Sequence, residues 1–308
     1  MTRLRNGYAG GIMLLGERNS GKTALSWRMA RKFTKKTDRI FQVYPPVGGS
    51  TQLHDFSQAL QQATHQSGSN DQLMENLAAG CVFIVNDLEL WWERSEEGFT
   101  VVKEIMRLLK EYSRRHLFLV NTNPFAFRLI NQLHSIEDAF LSVIPYQPFS
   151  TEDIERLILL RHWSGGLKFG LGKRTEDELS EWKKVQFFNN FFDYSGGNPG
   201  AALGAWLASI EKVGNKQVHL RYPKSPDTEA LQHMPDDWLI LTMQFLLHKR
   251  LSVVRLVRLL RLEEGAVRSL LQDVQRAGLV VEKGGGVFQL NIYTEIHLIN
   301  FLREQELL

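Results

Sequence analysis

Residues Gly16 to Thr23 read Gly-Glu-Arg-Asn-Ser-Gly-Lys-Thr. Two glycines, a lysine and a hydroxyl stand at the spacing of a phosphate-binding loop, Gly, four residues, Gly-Lys-Thr. Gly16 and Gly21 have no side chain, so the backbone can turn tightly. The N–H groups of the stretch, through Glu17, Arg18, Asn19 and Ser20, can then aim at a phosphate. Lys22 can reach the outer phosphates of a nucleotide, and the Thr23 hydroxyl can ligate Mg²⁺. A second set of candidates lies downstream. The apolar run Cys81 to Val85 ends in Asn86, Asp87, Leu88 and Glu89. Asp87 is the expected holder of Mg²⁺, directly or through water. If the strand stays extended, period two puts Glu89 on the same side, where it can orient an attacking water. The plainer reading is an acidic strand end facing solvent. Leu117 to Val120 is another apolar run, followed by Asn121, Thr122, Asn123 and Pro124. Either Asn121 or Asn123 can place an amide beside the outer phosphate.

These groups need a scaffold. Gly11 to Leu15 has the length of a buried strand, and Ala24 to Phe33 reads as a helix with Leu25, Met29 and Phe33 along one face. The loop therefore sits between strand and helix, where a helix N-terminus adds partial positive charge. Arg39 to Tyr44, Cys81 to Val85, Leu117 to Val120 and Ser142 to Ile144 supply further strands. The runs are continuous rather than alternating, as expected of parallel strands buried on both faces. Helices are expected over Gln52 to Thr64, Leu73 to Ala79, Val101 to Ser113 and Arg128 to Leu133. The result is an α/β doubly wound parallel sheet. Two adjacent tryptophans, Trp91 and Trp92, follow the acidic strand end, and they are not expected to point into the same core.

Beyond Phe149 the pattern changes. Ser150 to Asp153 resembles a capping box and opens a helix to Arg161. Gly165 to Lys173 is a glycine-rich, basic break, and Glu178 to Tyr194 an aromatic-rich helix. Ser195-Gly196-Gly197-Asn198-Pro199-Gly200 then opens a small-residue helix, with Pro199 suited to its first turn. Those glycines allow close approach, either to a nucleotide's adenine or ribose or to a neighbouring turn. Lys212 to Pro235 is a polar connector. Trp238 to Leu247, Ser252 to Leu262 and Glu264 to Ala277 read as helices. Leu279 to Glu282 and Val287 to Asn291 form a hairpin, and Thr294 to Leu302 a last helix. Three helices and a wing make a winged helix. The expected division is 1–148 nucleotide-binding core, 149–215 helical lid, 216–235 connector and 236–308 winged-helix domain.

Composition sets bounds. The 308 residues are 43% hydrophobic with a formal charge of +3, so nothing global demands a nucleic-acid partner. Cys81 is the one cysteine, which excludes a disulfide within the chain and suits a reducing compartment. No apolar run reaches membrane-span length, and Met1 to Arg5 lacks a signal-peptide core, so a cytoplasmic location is expected. The first strand begins about ten residues in, which leaves open a minimal front end or a piece of a longer polypeptide. The nine histidines show no ligand spacing with cysteine.

Taken together, these motifs resemble the AAA+ and STAND branch of P-loop ATPases, over nearly the whole chain. Gly16 to Thr23 matches Walker A, and Val82 to Asp87 matches Walker B. Ser195 to Ala202 is similar to the Gly-x-Pro segment of STAND proteins and to the second-sensor helix of AAA+ proteins. The resemblance implies ATP or ADP with Mg²⁺ in a cleft between sheet and lid, and a winged helix that moves with nucleotide state. Three departures stand out. Leu88 follows Asp87, so Glu89 comes one place late. Gly200 stands where a second-sensor arginine is usual. Ile136 to Val143 holds no arginine finger, and Arg128 is the nearest arginine. The expected function is therefore a slow ATPase switch, turning ATP and water into ADP and phosphate. Two alternatives remain. One is a DNA-dependent ATPase of the initiator or transposition-regulator type, using Arg268, Gln272, Gln275 and Arg276 on duplex DNA. The other is a nucleotide-stabilised scaffold serving a protein partner.

Overall fold

The computed structural model describes residues 10–172, 174–214, 217–224 and 229–308. The N-terminal residues Met1 to Arg5, Lys173 of the basic break, and positions 215–216 and 225–228 of the connector lie outside the described residues. The chain forms two compact units: Met1–Tyr146 with Pro235–Leu290, and Gln147–Met234 with Asn291–Leu308.

The first unit is built on a parallel sheet of β1 (Gly11–Leu15), β2 (Ile40–Val43), β3 (Val82–Val85), β4 (Leu117–Thr122) and β5 (Phe140–Pro145), in the order β2-β3-β4-β1-β5. This is the α/β parallel sheet expected from the apolar runs. Between the strands run α1 (Lys22–Phe33), α2 (Leu53–Thr64), α3 (Asn70–Asn76), α4 (Thr100–Tyr112) and α5 (Pro124–His134). Ile12, Leu14, Ile84 and Leu119 face one side, under Ala30 of α1. Met13, Phe83, Val85, Phe118 and Val120 face the other, under α2 and α4. Burial on both faces is why the strands read as unbroken apolar runs.

Helix starts depart from expectation where capping decides them. Ser69 and Gln72 form a reciprocal capping box, so α3 begins at Asn70 rather than Leu73. Asn123 accepts from Ala126 N and Pro124 occupies the first turn, so α5 begins before Arg128. The tryptophans are a correction: both are buried in one core cluster. Asp87 adopts a left-handed conformation, φ 52°, and Leu88–Leu90 form a 3₁₀ turn. The alternation of a strand ends there. Trp91 then meets Phe56 edge-on at 5.5 Å, and Trp92 stacks on His248 at 5.2 Å.

Residues 235–290 of the same unit comprise α9 (Asp236–His248), β10 (Arg250–Ser252), α10 (Val253–Leu260), α11 (Glu264–Arg276), β11 (Val280–Gly284) and β12 (Val287–Leu290), the strands forming an antiparallel sheet β10-β12-β11. The second unit holds α6 (Thr151–Trp163), β6 (Lys168–Leu171), β7 (Arg174–Thr175), α7 (Glu181–Ser195), α8 (Pro199–Ala208), β8 (Ile210–Gly214), β9 (Gln217–Leu220) and α12 (Ile292–Glu304). Its helices enclose Phe169, Phe187, Phe188, Phe191 and Trp206. Besides the expected helices it carries a four-stranded sheet, β7-β6-β9-β8, whose strands fall in or beside the glycine-rich break and the polar connector. α12, expected beside the hairpin, belongs to this unit, where the Tyr194 hydroxyl donates to Tyr293 O.

Candidate nucleotide-binding site

β1 lies between β4 and β5, with Leu14 opposite Asn121 and Leu15 opposite Thr122. Gly16 N donates to Thr122 O at 3.1 Å, so the loop leaves the C-terminal edge of the sheet centre. Ligands of open α/β sheets bind at that edge. Asn19 (φ 61°) and Gly21 (φ 91°) turn the chain back into α1. A Cβ on Gly16 would lie 2.6 Å from Ser20 Oγ and 3.0 Å from Tyr146 Cβ, so any larger residue would close the loop. Ser20 Oγ is buried with no hydrogen-bond partner. Lys22 Nζ donates to Gly16 O at 2.6 Å and Glu17 O at 2.8 Å, curling back over the loop. A cradle only glycine permits, with an orphaned hydroxyl and a buried ammonium, fits a phosphate group.

Behind the loop, α1 is tied to the strand ends by side-chain amides and hydroxyls. Ser26 Oγ donates to Asn121 Oδ1 at 2.7 Å, Asn121 Nδ2 donates to Asn86 Oδ1 at 2.9 Å, and Thr23 Oγ1 donates to the same oxygen at 3.4 Å. The structure thus brings Asn121 to the loop and adds Asn86 and Ser26, which sequence reasoning passed over. The signal for Asn86 is its place directly after the apolar run, the first position clear of the strand.

Asp87, one residue later, has a different partner. Its Oδ1 accepts from Lys249 Nζ at 2.5 Å. Glu89 is not on an extended strand but in the 3₁₀ turn, and it is buried. Its Oε2 accepts from Asn123 N at 3.3 Å. Burial raises its carboxyl above the usual range and the Asp87 charge adds to this, against Lys22 and Lys249. Asn123 caps α5, and its Nδ2 donates to Leu246 O at 3.1 Å and Leu247 O at 3.3 Å. It ties α9 to the core and does not join the Asn86–Asn121 group. The magnesium set expected at Thr23 and Asp87 does not fit this arrangement. The oxygen meeting Thr23 is a neutral amide, the carboxylate is held by an ammonium, and Mg²⁺ favours carboxylate oxygen.

The segment after α9 is fastened to the core at its acids. Arg255 Nε donates to Glu93 Oε1 at 2.6 Å, with the two side chains only 4% and 7% exposed. Arg255 also donates to Gly48 O and Trp92 O, each at 2.9 Å. Gly49 (φ +75°) makes room, since a Cβ there would lie 1.9 Å from the Arg255 Nη1. Arg258 Nη2 reaches Glu93 at 2.7 Å, and Arg18 of the Gly16–Thr23 loop donates to Leu290 O at 2.9 Å. Lys249, Arg255 and Arg258 thus neutralise acids of the core. Arg268 and Arg276 are exposed on α11, 2.6 Å from Glu264 and 3.7 Å from Asp273. Gln272 is exposed and Gln275 half-buried there, and Arg128 is exposed on α5.

His248, between Trp92 and Glu89 O, is buried and pushed down to about 3, first by burial and then by the Arg255 charge. The unfolded chain takes up this proton near its ordinary value and the folded chain does not, so acid favours unfolding. From about pH 6.5 down to about pH 3, this residue should remove ~1.4 kcal/mol of stability per pH unit. Chemical denaturation across that range should show a steeper loss in the native chain than in His248→Gln. Equal slopes would exclude the assignment.

Pro199 lies in the second unit as the first residue of α8 and is buried. Asn198 Oδ1 accepts from Gly200 N and Ala201 N, both at 3.1 Å. The close approach at Gly197 (φ +78°) is to Phe149 O, 2.6 Å from a Cβ placed there. Gly196 (φ +56°) is the left-handed C-cap of α7, and the close contact of Gly197 lies within its own unit.

No family model matches the sequence, and no curated protein matches it. Among solved structures, the chain is similar to Cdc6p from Pyrobaculum aerophilum, with 13% identity, 97% of this chain and 90% of that one covered, and a TM-score of 0.47. It is similar to the Aeropyrum pernix ORC1 protein in complex with DNA, at 12% identity, 98% and 91% coverage and a TM-score of 0.49. A RuvB protein from Thermotoga maritima aligns at 12% identity, 97% and 90% coverage and a TM-score of 0.45. Among the described residues no helix is long and apolar enough to cross a membrane.

Proposed function

We propose that the first unit binds ATP or ADP at Gly16–Thr23 and acts as a slow, AAA+/STAND-like nucleotide-dependent switch, with residues 236–290 as its winged-helix part. The observation that supports this most is the loop: a glycine-only cradle between β1 and α1, holding a buried Ser20 hydroxyl without a partner and the Lys22 ammonium. A switch is favoured over a motor because Asp87, the acid just past the strand end, is occupied by Lys249. Nucleotide that draws on Arg18 or Lys249 would act directly on groups tying the winged-helix part to the core. The test is equilibrium binding of ATP and ADP to the chain and to Lys22→Ala. Undiminished binding in the variant would remove the site assignment.

A DNA-dependent ATPase remains the second reading, supported by the exposure of Arg268, Gln272 and Arg276 on α11. Their neighbouring acids predict weak duplex affinity, falling steeply with salt. Replacing Arg268 and Arg276 together by Ala should lower it ~10-fold at low salt, about 1 kcal/mol per phosphate contact or less. An absence of duplex binding at low salt would eliminate this reading.

A further inference from the structure

We propose that this site takes its nucleotide without a divalent metal, Lys249 adding beside Lys22 the positive charge that a bound magnesium would otherwise bring. This rests on the nucleotide reading above. Two features of the first unit bear on the metal directly. Thr23 meets the neutral Asn86, so a metal would find one hydroxyl and one amide there. The nearby carboxylate, Asp87, already carries an ammonium at 2.5 Å, which a metal would have to displace.

The turn that delivers Lys249 is firmly built. Lys249 itself has φ 60° and ψ −49°, a conformation that costs a non-glycine residue on the order of 1–3 kcal/mol. It is held by Lys249 N donating to Phe245 O at 2.7 Å, by Asn123 on the carbonyls of Leu246 and Leu247, and by the His248 contact with Glu89 O. A strained turn braced from several sides presents its side chain to a fixed place.

Further basic groups lie near Asp87 and Glu89. Lys249 is followed by Arg250, whose Nε is buried with no hydrogen-bond partner, and Arg18 lies in the loop itself. Arg250 and Lys249 both act electrostatically on Glu89, and Arg250 on Asp87 as well. Of the two acids, Glu89 accepts from Asn123 N, and Asp87 is the one paired with Lys249. A triphosphate can replace Asp87 in that role, and its charge needs no metal where guanidinium and ammonium groups already converge.

The experiment is ATP binding by calorimetry in magnesium and again in excess chelator, for the native chain, Lys249→Ala, Lys249→Arg, Asn86→Asp and Lys22→Ala. The native affinity should change by less than ~3-fold on chelation. Lys249→Ala should lose ~10-fold in chelator and Lys249→Arg should retain most of the native value. Asn86→Asp should make binding magnesium-dependent. A native affinity that falls ~10-fold or more on chelation overturns the proposal, as does a Lys249→Ala variant that binds like the native chain in chelator. A thermal melt of Lys249→Ala separates lost charge from lost fold, and Lys249→Arg carries the test if that variant melts early. Strictly magnesium-dependent binding that vanishes in Lys22→Ala leaves the nucleotide reading intact and sinks only this inference. No binding under either condition sinks both.

Discussion

Glu93→Gln should destabilise the first unit by about 3–5 kcal/mol, the largest effect on stability expected of any single polar change in it. Glu93 and Arg255 form a buried ion pair in which burial alone would raise the carboxyl, and the guanidinium groups of Arg258 and Arg255 hold it below the usual range instead. Neutralising Glu93 leaves the Arg255 charge in a place that is 4% exposed. Its remaining hydrogen bonds to Gly48 O and Trp92 O are to neutral carbonyls. At roughly 2–4 °C per kcal/mol for a unit of this size, the melting temperature should fall by about 10 °C. The double variant Glu93→Leu with Arg255→Met removes both charges and should be less damaged than Glu93→Gln, because desolvation is avoided on both sides. Calorimetric melts of the three proteins decide it. A Glu93→Gln melt within about 1 °C of the native value would show that this clamp contributes little.

Lys22→Ala should weaken ATP and ADP binding by ~100-fold or more. Removing one partner from a close, desolvated charge pair typically costs about 2–5 kcal/mol, and the lower end is already about 30-fold. Lys22 is 7% exposed and donates to carbonyls of its own loop, so its loss leaves the cradle closed on an orphaned serine without the charge that recruits phosphate. The folded chain should survive, because Lys22 satisfies loop carbonyls that water can reach once the side chain is gone. Binding titrations with both nucleotides, beside a melt of the variant, check this. Equal loss for ATP and ADP is the expected pattern, since the loop serves phosphates common to both. Loss confined to ATP would move Lys22 away from the shared phosphates.

Residues that act within a few positions of one another were legible without coordinates. Gly16, Gly21, Lys22 and Thr23 announce a strand–loop–helix unit because the glycines, the lysine and the flanking apolar runs lie in one short stretch. Strands β1 to β4 were legible for a similar reason: burial on both faces demands runs such as Cys81 to Val85, which few other elements need. The position of strand ends was not. Whether the residue facing Thr23 is Asn86 or Asp87 turns on one peptide unit and on a left-handed φ at Asp87 that no local propensity requires of an aspartate. The same kink moved Glu89 off the strand and let both tryptophans into one core.

The sequence by itself determined the glycine-containing loop between the first strand and helix, the order of strand and helix around it, and the helices and hairpin near the C-terminus. Tertiary structure alone decided how the charges are used. Lys249 and Asp87 are 162 positions apart, as are Arg255 and Glu93, and nothing in a local pattern distinguishes a lysine on a solvated face from one that neutralises a core acid. Charge carries no periodicity that names its partner. Only the packing of α9 and α10 against the turn and loop that follow β3 sets those ions within reach and takes them out of water, where pairing has consequences.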